Sequence, residues 1–414
     1  MSDDDVRAQY DAYPYPNRDP ADETGPALIG SPGNLLEVNH HAFGGRLDIG
    51  RPLKVLVAGG GTGDGAIALA QQLADAGSPA GITYVDVSRA AREIAEARAA
   101  ARGLANITFH TLSLLDVADQ GWEPFDYVDC CGVLHHLDDP QAGLNALAAV
   151  LSPAGGMGVM VYGELGRTGV YDLQAALRTL KPHGTPADRV RYARHLLARL
   201  PPGNRLRTNP VIGDHQRGDA ELHDLLLNAR DRAYRVPELF ELAGSAGLAI
   251  TGLIKPVEYD PSIYFDDDET LGRIDELGWP ARAALAELLG GTLKTHVFYA
   301  VPRARAETAV ARPAADMVPV LHQVGARALA ETVAAGKSIT VHVAGAAIQR
   351  ALPPGTGEMI RLMDGTRTLG AIHQRLSESD PDPDWETFIA LFTVVHEVLN
   401  GAGVLFLRHE SVRL

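Results

Sequence analysis

The sequence predicts an α/β fold with a mainly parallel sheet, joined to a second and smaller unit. Short apolar runs alternate with helical segments between Lys54 and Tyr162. A glycine-rich loop in the stretch VLVAGGGTGDG follows the first of these runs. The chain has 414 residues and is 46% hydrophobic, which is enough for two or three domains with their own cores.

The elements of the sheet follow one another in a regular order. Residues 1–50 are rich in Pro, Gly and Tyr and predict an irregular arm with a short helix. KVLVAG and GITYVDVS predict the first two strands, each followed by a helix, GAIALAQQLADAG and RAAREIAEARAAARG. NITFHTLSL, FDYVDCCGVL and GMGVMVYG predict three more strands, with the helix QAGLNALAAVL between the last two. This alternation indicates βαβ units.

The alternation stops after Tyr162. Residues 164–235 are mainly helical and predict a lid inserted into a core that spans 51–163 and 236–302. VPELFELAGSAG, LAITGLI and THVFYAVP then return the chain to the sheet as a helix and two strands. A polar stretch at 303–318 predicts a linker, and residues 319–414 predict a separate unit that is winged-helix-like.

Composition restricts the partners and the compartment. The formal net charge of −15 disfavours a nucleic-acid partner. The only two cysteines, Cys130 and Cys131, are adjacent, which disfavours an ordinary disulfide and predicts a reduced, cytoplasmic chain. MSDDD is unlike a signal peptide, and no apolar run approaches the roughly 20 residues of a membrane span. We therefore expect neither a membrane segment nor a metal site.

The glycine loop has two interpretations. A dinucleotide fingerprint, G-x-G-x-x-G, would need glycine where this chain has Asp64, so the loop is better described by Gly59, Gly61 and Gly63. Asp86 follows at the end of the second strand, where a carboxylate can accept both hydroxyls of a ribose. Asp86 suits NAD and S-adenosylmethionine equally, and its structural alternative is a helix N-terminal residue.

Together, VLVAGGGTGDG, VDVS, FDYVDCCGVLHHLDDP and LSPAGGMGVMVYG resemble the class I S-adenosylmethionine-dependent methyltransferases. The resemblance covers 50–163 closely and 236–302 more loosely. It implies a Rossmann-like sheet of seven strands, with THVFYAVP antiparallel, and S-adenosyl-L-methionine as cofactor. It also implies cofactor contacts from Gly59, Gly61 and Gly63 at the methionine end, Asp86 at the ribose, Ser113, Leu114 and Leu115 at the adenine, and Cys131, Gly132 and Val133 near the sulfonium.

The N-terminal arm extends this resemblance, whereas Val57 departs from it. The arm, VRAQYDAYPYPNRDP, resembles a segment that covers the cofactor in some methyltransferases, so Tyr10, Tyr13 and Tyr15 either contact the cofactor or pack against the sheet edge. The family usually has an acidic residue at Val57, which helps to hold the loop and the amino group of the cofactor. Another acidic group, or the carbonyl of Ala58, could replace it. A non-catalytic, cofactor-binding regulatory protein is therefore the alternative to an enzyme.

Several side chains are candidates for proton transfer. His135 and His136 in GVLHHLDDP lie close to the expected methyl position, and a histidine can act as a base near neutral pH. We favour His135; structural hydrogen bonding is the alternative. The lid adds further candidates, for which a solvated surface or, less favoured, a metal site is the alternative: Tyr171, Asp214, His215, His223 and Asp224. No N/D-P-P-Y/F motif follows the fourth strand, so we expect a small-molecule acceptor or a peptide or protein residue.

The C-terminal unit carries a second resemblance. GEMIRLMDGTRTLGAI resembles PqqD-like peptide-binding modules and regulatory domains of some methyltransferases, chiefly through LMDGTRT. In that pattern Asp364 and Gly365 form a turn, and residues 366–368 begin the next helix. Few basic residues are present, which disfavours DNA. Peptide recognition, intramolecular docking and packing or homodimer formation remain the alternatives.

Overall fold

The computed structural model describes residues 10–228, 230–378 and 384–413. Its central sheet has seven strands in the order β3-β2-β1-β4-β5-β7-β6. The strands are β1 (Lys54–Ala58), β2 (Gly81–Asp86), β3 (Ile107–Thr111), β4 (Phe125–Cys131), β5 (Leu151–Tyr162), β6 (Leu248–Ile254) and β7 (Thr295–Pro302). The first five pair in parallel, whereas β7 is antiparallel to both β5 and β6. The predicted Rossmann-like sheet, with THVFYAVP antiparallel, is confirmed.

Helices cover both faces of this sheet, which explains why the central strands are mostly apolar, with Asp126 and Asp129 of β4 as exceptions. Residues 55–58 of β1 are all buried. The helices of the arm and the core are α1 (Leu35–Ala42), α2 (Asp64–Asp75), α3 (Arg89–Ala101), α4 (Pro140–Ala149), α8 (Val236–Ser245), α9 (Asp268–Asp275) and α10 (Trp279–Gly290). No helix in the described ranges is long and apolar enough to cross a membrane.

The insertion after β5 forms a compact helical layer. Its helices are α5 (Val170–Leu180), α6 (Pro186–Leu197) and α7 (Asp219–Leu227), and their apolar sides share one core. Thr185 caps the start of α6, because its hydroxyl accepts a hydrogen bond from the Asp188 amide at 3.2 Å. This layer is connected to β5 at the carboxyl edge of the sheet, where the sequence predicts a lid.

The N-terminal arm crosses the glycine loop. The Tyr15 carbonyl accepts a hydrogen bond from the Thr62 amide at 3.3 Å, and the Pro16 carbonyl accepts one from the Thr62 hydroxyl at 2.7 Å. Arg18 forms an ion pair with Asp64 at 2.6 Å. These contacts hold the arm against the loop between β1 and α2.

The C-terminal unit contains two separate strand pairs and four helices. Strand β8 (Met317–Leu321) pairs antiparallel with β11 (Leu405–His409), and β9 (Ile339–Val343) forms a hairpin with β10 (Ala346–Arg350). The helices are α11 (Ala326–Ala334), α12 (Gly357–Arg361), α13 (Leu369–Ser377) and α14 (Trp385–Gly401). The turn predicted at Asp364 is present, since its carboxylate accepts hydrogen bonds from the amides of Thr366 and Arg367. The winged-helix assignment stays a prediction.

This unit packs directly on the core through α1. The Leu407 amide donates to Nδ1 of His40 at 3.0 Å, and the His409 amide donates to the Gly45 carbonyl at 2.7 Å. The stretch 303–318 also packs on the core: Ala309 and Ala311 are buried, and a guanidinium from this stretch, that of Arg305, donates to the Gly155 carbonyl at 2.6 Å. The stretch that the sequence predicts as a linker is therefore a packed connection.

Acid should weaken this interface. Burial lowers the pKa of His41 to about 3 and that of His396 to about 4. In the unfolded chain these histidines bind a proton near pH 6.5. Their contribution to the free energy of unfolding is therefore complete above that pH and is lost as the pH falls toward 4. We expect Tm to fall between pH 7 and pH 5. His41→Leu should reduce this fall, because neither ring nitrogen of His41 has a hydrogen-bond partner. The exposed His183→Leu is the control, and equal slopes in both variants would contradict the assignment.

Candidate active site

A cavity of about 1150 Å³ opens at the carboxyl ends of β1, β2, β4 and β5. The glycine loop and the strand ends form its floor, while the N-terminal arm and the helical insertion form its other walls. Ligands of open α/β sheets bind at this edge of the sheet. The cavity is thus where the fold itself predicts a functional site.

The glycine loop approaches other parts of the chain too closely for side chains. Gly59 and Gly61 line the cavity with φ angles of +74° and +53°, in the region that favours glycine. A Cβ atom on Gly61 would lie 2.6 Å from the Tyr15 carbonyl oxygen. Gly63, in contrast, does not line the cavity. It precedes α2 at φ +104°, and a Cβ atom there would lie 2.9 Å from Ala95 of α3, so it serves helix packing.

Asp86 lies at the end of β2 and lines the cavity. Its Oδ2 accepts a hydrogen bond from the Gly61 amide at 2.8 Å, and its Oδ1 accepts one from the Ser88 amide at 2.8 Å. Burial raises the pKa of Asp86, and these two amides partly oppose that shift. Ser113 and Leu114, with the neighbouring Leu115, line the cavity next to this end of the sheet. The structure therefore brings the predicted ribose and adenine residues together.

The opposite part of the cavity is lined by residues that follow β4. Cys131, Gly132 and Val133 all line it, and both cysteines are free thiols, while the position of these residues near the sulfonium stays a prediction. His136 also lines it. Nδ1 of His136 lies 2.7 Å from the Arg230 carbonyl oxygen. Because a carbonyl only accepts, Nδ1 carries a proton, and in the neutral ring the lone pair is then on Nε2.

The structure does not support the preference for His135 as the base. His135 is 1% exposed, does not line the cavity, and has no hydrogen-bond partner at either ring nitrogen. Its ring lies against Tyr162, with 3.8 Å between the ring centroids, and burial lowers its pKa well below the usual value. Packing therefore explains this residue, because a buried imidazole without partners cannot reach an acceptor.

The helical insertion contributes a carboxylate surrounded by donors. Asp224 is 5% exposed and lines the cavity. It accepts hydrogen bonds from the Tyr162 hydroxyl at 2.9 Å, the Asn228 amide at 3.1 Å and the Tyr10 hydroxyl at 3.4 Å. Tyr10 and Tyr15 both line the cavity, so two of the three arm tyrosines are near the site.

Other candidates from the insertion lie elsewhere. Tyr171 binds Arg167 at 3.2 Å but does not line the cavity. His215 is also outside the lining, although its neighbour Asp214 belongs to it. His223 stacks on Tyr13 at a centroid distance of 5.1 Å, away from the cavity. Within the described ranges, no group of three His, Cys, Asp or Glu side chains is arranged to hold a metal ion.

Two residues of the cavity were not predicted from the sequence. Arg167 is buried and pairs with Asp231 at 2.8 Å, with its guanidinium 3.6 Å above the Tyr162 ring. Nothing in GELGRTGV indicates this, because the partner is distant in sequence. Asp129 lies in β4 beside Val57 and is 1% exposed. An acidic residue in the buried run YVDC of β4 was a signal that could have identified it.

The comparisons with known proteins agree with this architecture. A family model described as a methyltransferase domain matches residues 56–157. An uncharacterized protein of Synechococcus is 33% identical over 301 residues, which is 71% of this chain and 70% of that protein. PKMT2 from Rickettsia typhi has a similar fold, with a TM-score of 0.62 at 14% identity over 93% of this chain and 77% of that chain. Its complex with AdoHcy matches with a TM-score of 0.60 at 15% identity over 90% and 75%.

The fold, the glycine loop and the matched methyltransferase domain together define a class I S-adenosylmethionine-dependent methyltransferase. The chain belongs to one family with the uncharacterized Synechococcus protein, and its own residues 56–157 carry the methyltransferase domain. S-adenosylmethionine is its cofactor. The residues fit this group: the loop at Gly61 has no room for side chains, Asp86 offers a carboxylate for a ribose, and the buried Oδ2 of Asp129 has no partner in the protein.

Proposed function

We propose that the protein methylates a polar small molecule, or a residue of a peptide or protein, bound between the sheet edge and the helical insertion. The observation that carries this proposal is that Asp86, His136 and Asp224 line one and the same cavity. Asp86 belongs to the part expected to hold the ribose, whereas the other two are supplied by the β4 loop and the insertion. One cavity therefore has room for a cofactor and an acceptor side by side.

His136 is the proton acceptor in this proposal. When bound, S-adenosylmethionine supplies a methyl group carried on a sulfonium. The acceptor atom loses a proton as it gains the methyl group, and Nε2 of His136 is available to take it, because Nδ1 is held by the Arg230 carbonyl. General-base assistance of this kind contributes about 10²–10⁴-fold to a rate.

Asp224 and its tyrosines would position the acceptor. The Asp224 carboxylate accepts from the Tyr162 and Tyr10 hydroxyls, which fixes both phenols at the cavity wall. Aromatic rings with fixed hydroxyls offer apolar contact and hydrogen bonds to the same ligand. These groups favour a polar acceptor, and the cavity of about 1150 Å³ is large enough for a side chain of a peptide or a small molecule beside the cofactor.

A transfer assay tests this function. The full chain is incubated with methyl-labelled S-adenosylmethionine and an extract of its source cells, and label is counted separately in small molecules and in protein. We expect label in one of the two fractions. His136→Asn should lower the rate of label transfer about 10²–10⁴-fold, while the variant still binds S-adenosylhomocysteine. Asparagine keeps a donor for the Arg230 carbonyl but lacks Nε2.

The matched control is His183→Gln, at an exposed position away from the cavity, which should transfer at the wild-type rate. Intact cofactor binding without any labelled product would contradict the proposed enzyme and favour the regulatory alternative. Equal rates in His136→Asn and the wild type would remove His136 from the reaction.

A further inference from the structure

We infer that Asp129 of β4 binds the α-ammonium group of S-adenosylmethionine, in place of the carboxylate that is missing at Val57 of β1. The inference rests on the proposed function only in taking this cavity as the cofactor site, and not on the identity of the acceptor. It assigns to a buried side chain a ligand contact that the mechanism above does not use.

The position of Asp129 relative to β1 is the first observation. In the parallel pairing of β1 with β4, Asp129 is the register partner of Val57. Partners in register present their side chains to the same face of a sheet. Both residues line the cavity, and both precede the strand ends by a similar distance. A carboxylate on β4 thus reaches the region that a carboxylate at Val57 would reach.

The state of the carboxylate is the second observation. Asp129 is 1% exposed, and its Oδ2 has no hydrogen-bond partner. A buried polar atom without a partner loses its hydration and gains no hydrogen bond in return, so its presence calls for a ligand. Two glycines pack beside the carboxylate, so backbone borders it there: a Cβ atom at Gly33 would lie 3.6 Å from Oδ2, and one at Gly65 would lie 3.6 Å from Oδ1.

The chemistry of the cofactor identifies the group that would bind. Asp86 and residues 113–115 line the part of the cavity where we expect the ribose and the adenine, which leaves the amino-acid end for the floor between the loop and β4. That end carries one ammonium group and one carboxylate. An ammonium is the favourable partner for a buried carboxylate, and charge-assisted hydrogen bonds are the strongest that proteins form.

Protonation provides a measurable consequence. Burial raises the pKa of Asp129 to about 7. The free carboxyl must ionise to pair with an ammonium, and pairing lowers its pKa, so binding should release a proton near neutral pH. Affinity for an ammonium-bearing ligand should therefore increase by roughly tenfold from pH 5.5 to pH 7.5.

The phenols and thiols around Asp129 do not account for such a change. Burial raises the pKa values of Tyr127 and Tyr299, and of Cys130 and Cys131, so these groups stay uncharged over this pH range. Although burial opposes it, hydrogen bonds from two arginines hold the pKa of Asp64 below its usual value.

Glu37 of α1 is the other buried acid nearby. Burial raises its pKa, and its Oε2 accepts hydrogen bonds from Ser31 and Tyr299. A variant at Asp129 keeps this acid, so the comparison of variant and wild type separates the two groups.

Calorimetry on the full chain tests the inference with two ligands. S-adenosylhomocysteine carries the ammonium, whereas 5′-methylthioadenosine lacks the whole amino-acid end. We expect Asp129→Asn to weaken S-adenosylhomocysteine binding by roughly 10–100-fold and to change 5′-methylthioadenosine binding less than about twofold. The pH dependence of S-adenosylhomocysteine binding should become smaller in the same variant, down to the part that Asp86 and Glu37 contribute, because burial also raises the pKa of each of these two acids.

Asp126→Asn is the control, because Asp126 lies in the same strand but binds Arg51 and the Lys54 amide outside the cavity. It should bind both ligands as the wild type does. An equal loss for both ligands in Asp129→Asn, or no loss for either, would overturn the inference. Failure of the wild type to bind either ligand would instead overturn the cofactor site and the proposed function with it.

Discussion

Arg167→Met should lower the free energy of opening of helix α5 by about 3–5 kcal/mol. Arg167 and Asp231 form an ion pair whose side chains are 3% and 1% exposed. Burial opposes the charge on Arg167, but the Asp231 carboxylate raises its pKa above the usual value. Methionine fills much of the same space and leaves that carboxylate buried without a cation. Native-state hydrogen exchange of the α5 amides measures the loss directly.

An exposed ion pair in the same segment supplies the control. Arg205 pairs with Asp172 at 3.8 Å, with side chains 73% and 63% exposed, so Arg205→Met should cost no more than about 1 kcal/mol. The double variant Arg167→Met/Asp231→Leu should recover much of the loss, because it removes the unpaired charge. Equal protection of α5 in Arg167→Met and Arg205→Met would show that the buried pair does not hold the insertion in place.

Asp86→Ala should weaken S-adenosylhomocysteine binding by about 1–3 kcal/mol, which is roughly 5–150-fold in Kd. The carboxylate is the acceptor at the end of β2, and its two oxygens already accept from the amides of Gly61 and Ser88. Ribose hydroxyls would add charge-assisted hydrogen bonds to these oxygens. Titration calorimetry at neutral pH measures the change, with the exposed Asp119→Ala as a control that should bind normally.

A second ligand separates the ribose contact from support of the loop. An S-adenosylhomocysteine analogue without the 2′ and 3′ hydroxyls should bind the wild type weakly and should bind Asp86→Ala no more weakly than S-adenosylhomocysteine does. Such non-additivity is expected when a side chain and a ligand group contact each other. If the affinities of the analogue and of S-adenosylhomocysteine for Asp86→Ala differ by as much as their affinities for the wild type, the ribose does not contact Asp86.

Local sequence patterns were enough to predict most elements of the fold and about half of the residues that line the cavity. Neighbouring residues place the glycines between β1 and α2 and the acid at the end of β2, so Gly59, Gly61 and Asp86 line the cavity, while their contacts with the cofactor stay predictions. Gly63 looked the same in the sequence, yet it packs against Ala95 of α3, a contact across helices. Spacing alone does not distinguish a glycine that faces a ligand from one that faces a helix.

The remaining errors concern the direction of side chains. His135 and His136 are adjacent, and a short turn after β4 sends one ring into the core and the other into the cavity. Asp129 was passed over because its significance depends on the pairing of β4 with β1. The pair of Arg167 with Asp231 joins residues 64 positions apart, which only the folded insertion brings together.

A crystal structure of the full chain with S-adenosylhomocysteine tests the central claim most directly. We expect the adenine beside Leu114, the ribose on Asp86, the ammonium on Asp129, and the sulfur facing the space between His136 and Asp224. That arrangement would place cofactor and acceptor in the single cavity at the edge of the sheet. A cofactor bound outside this cavity, or bound with its sulfur turned away from His136, would contradict the account.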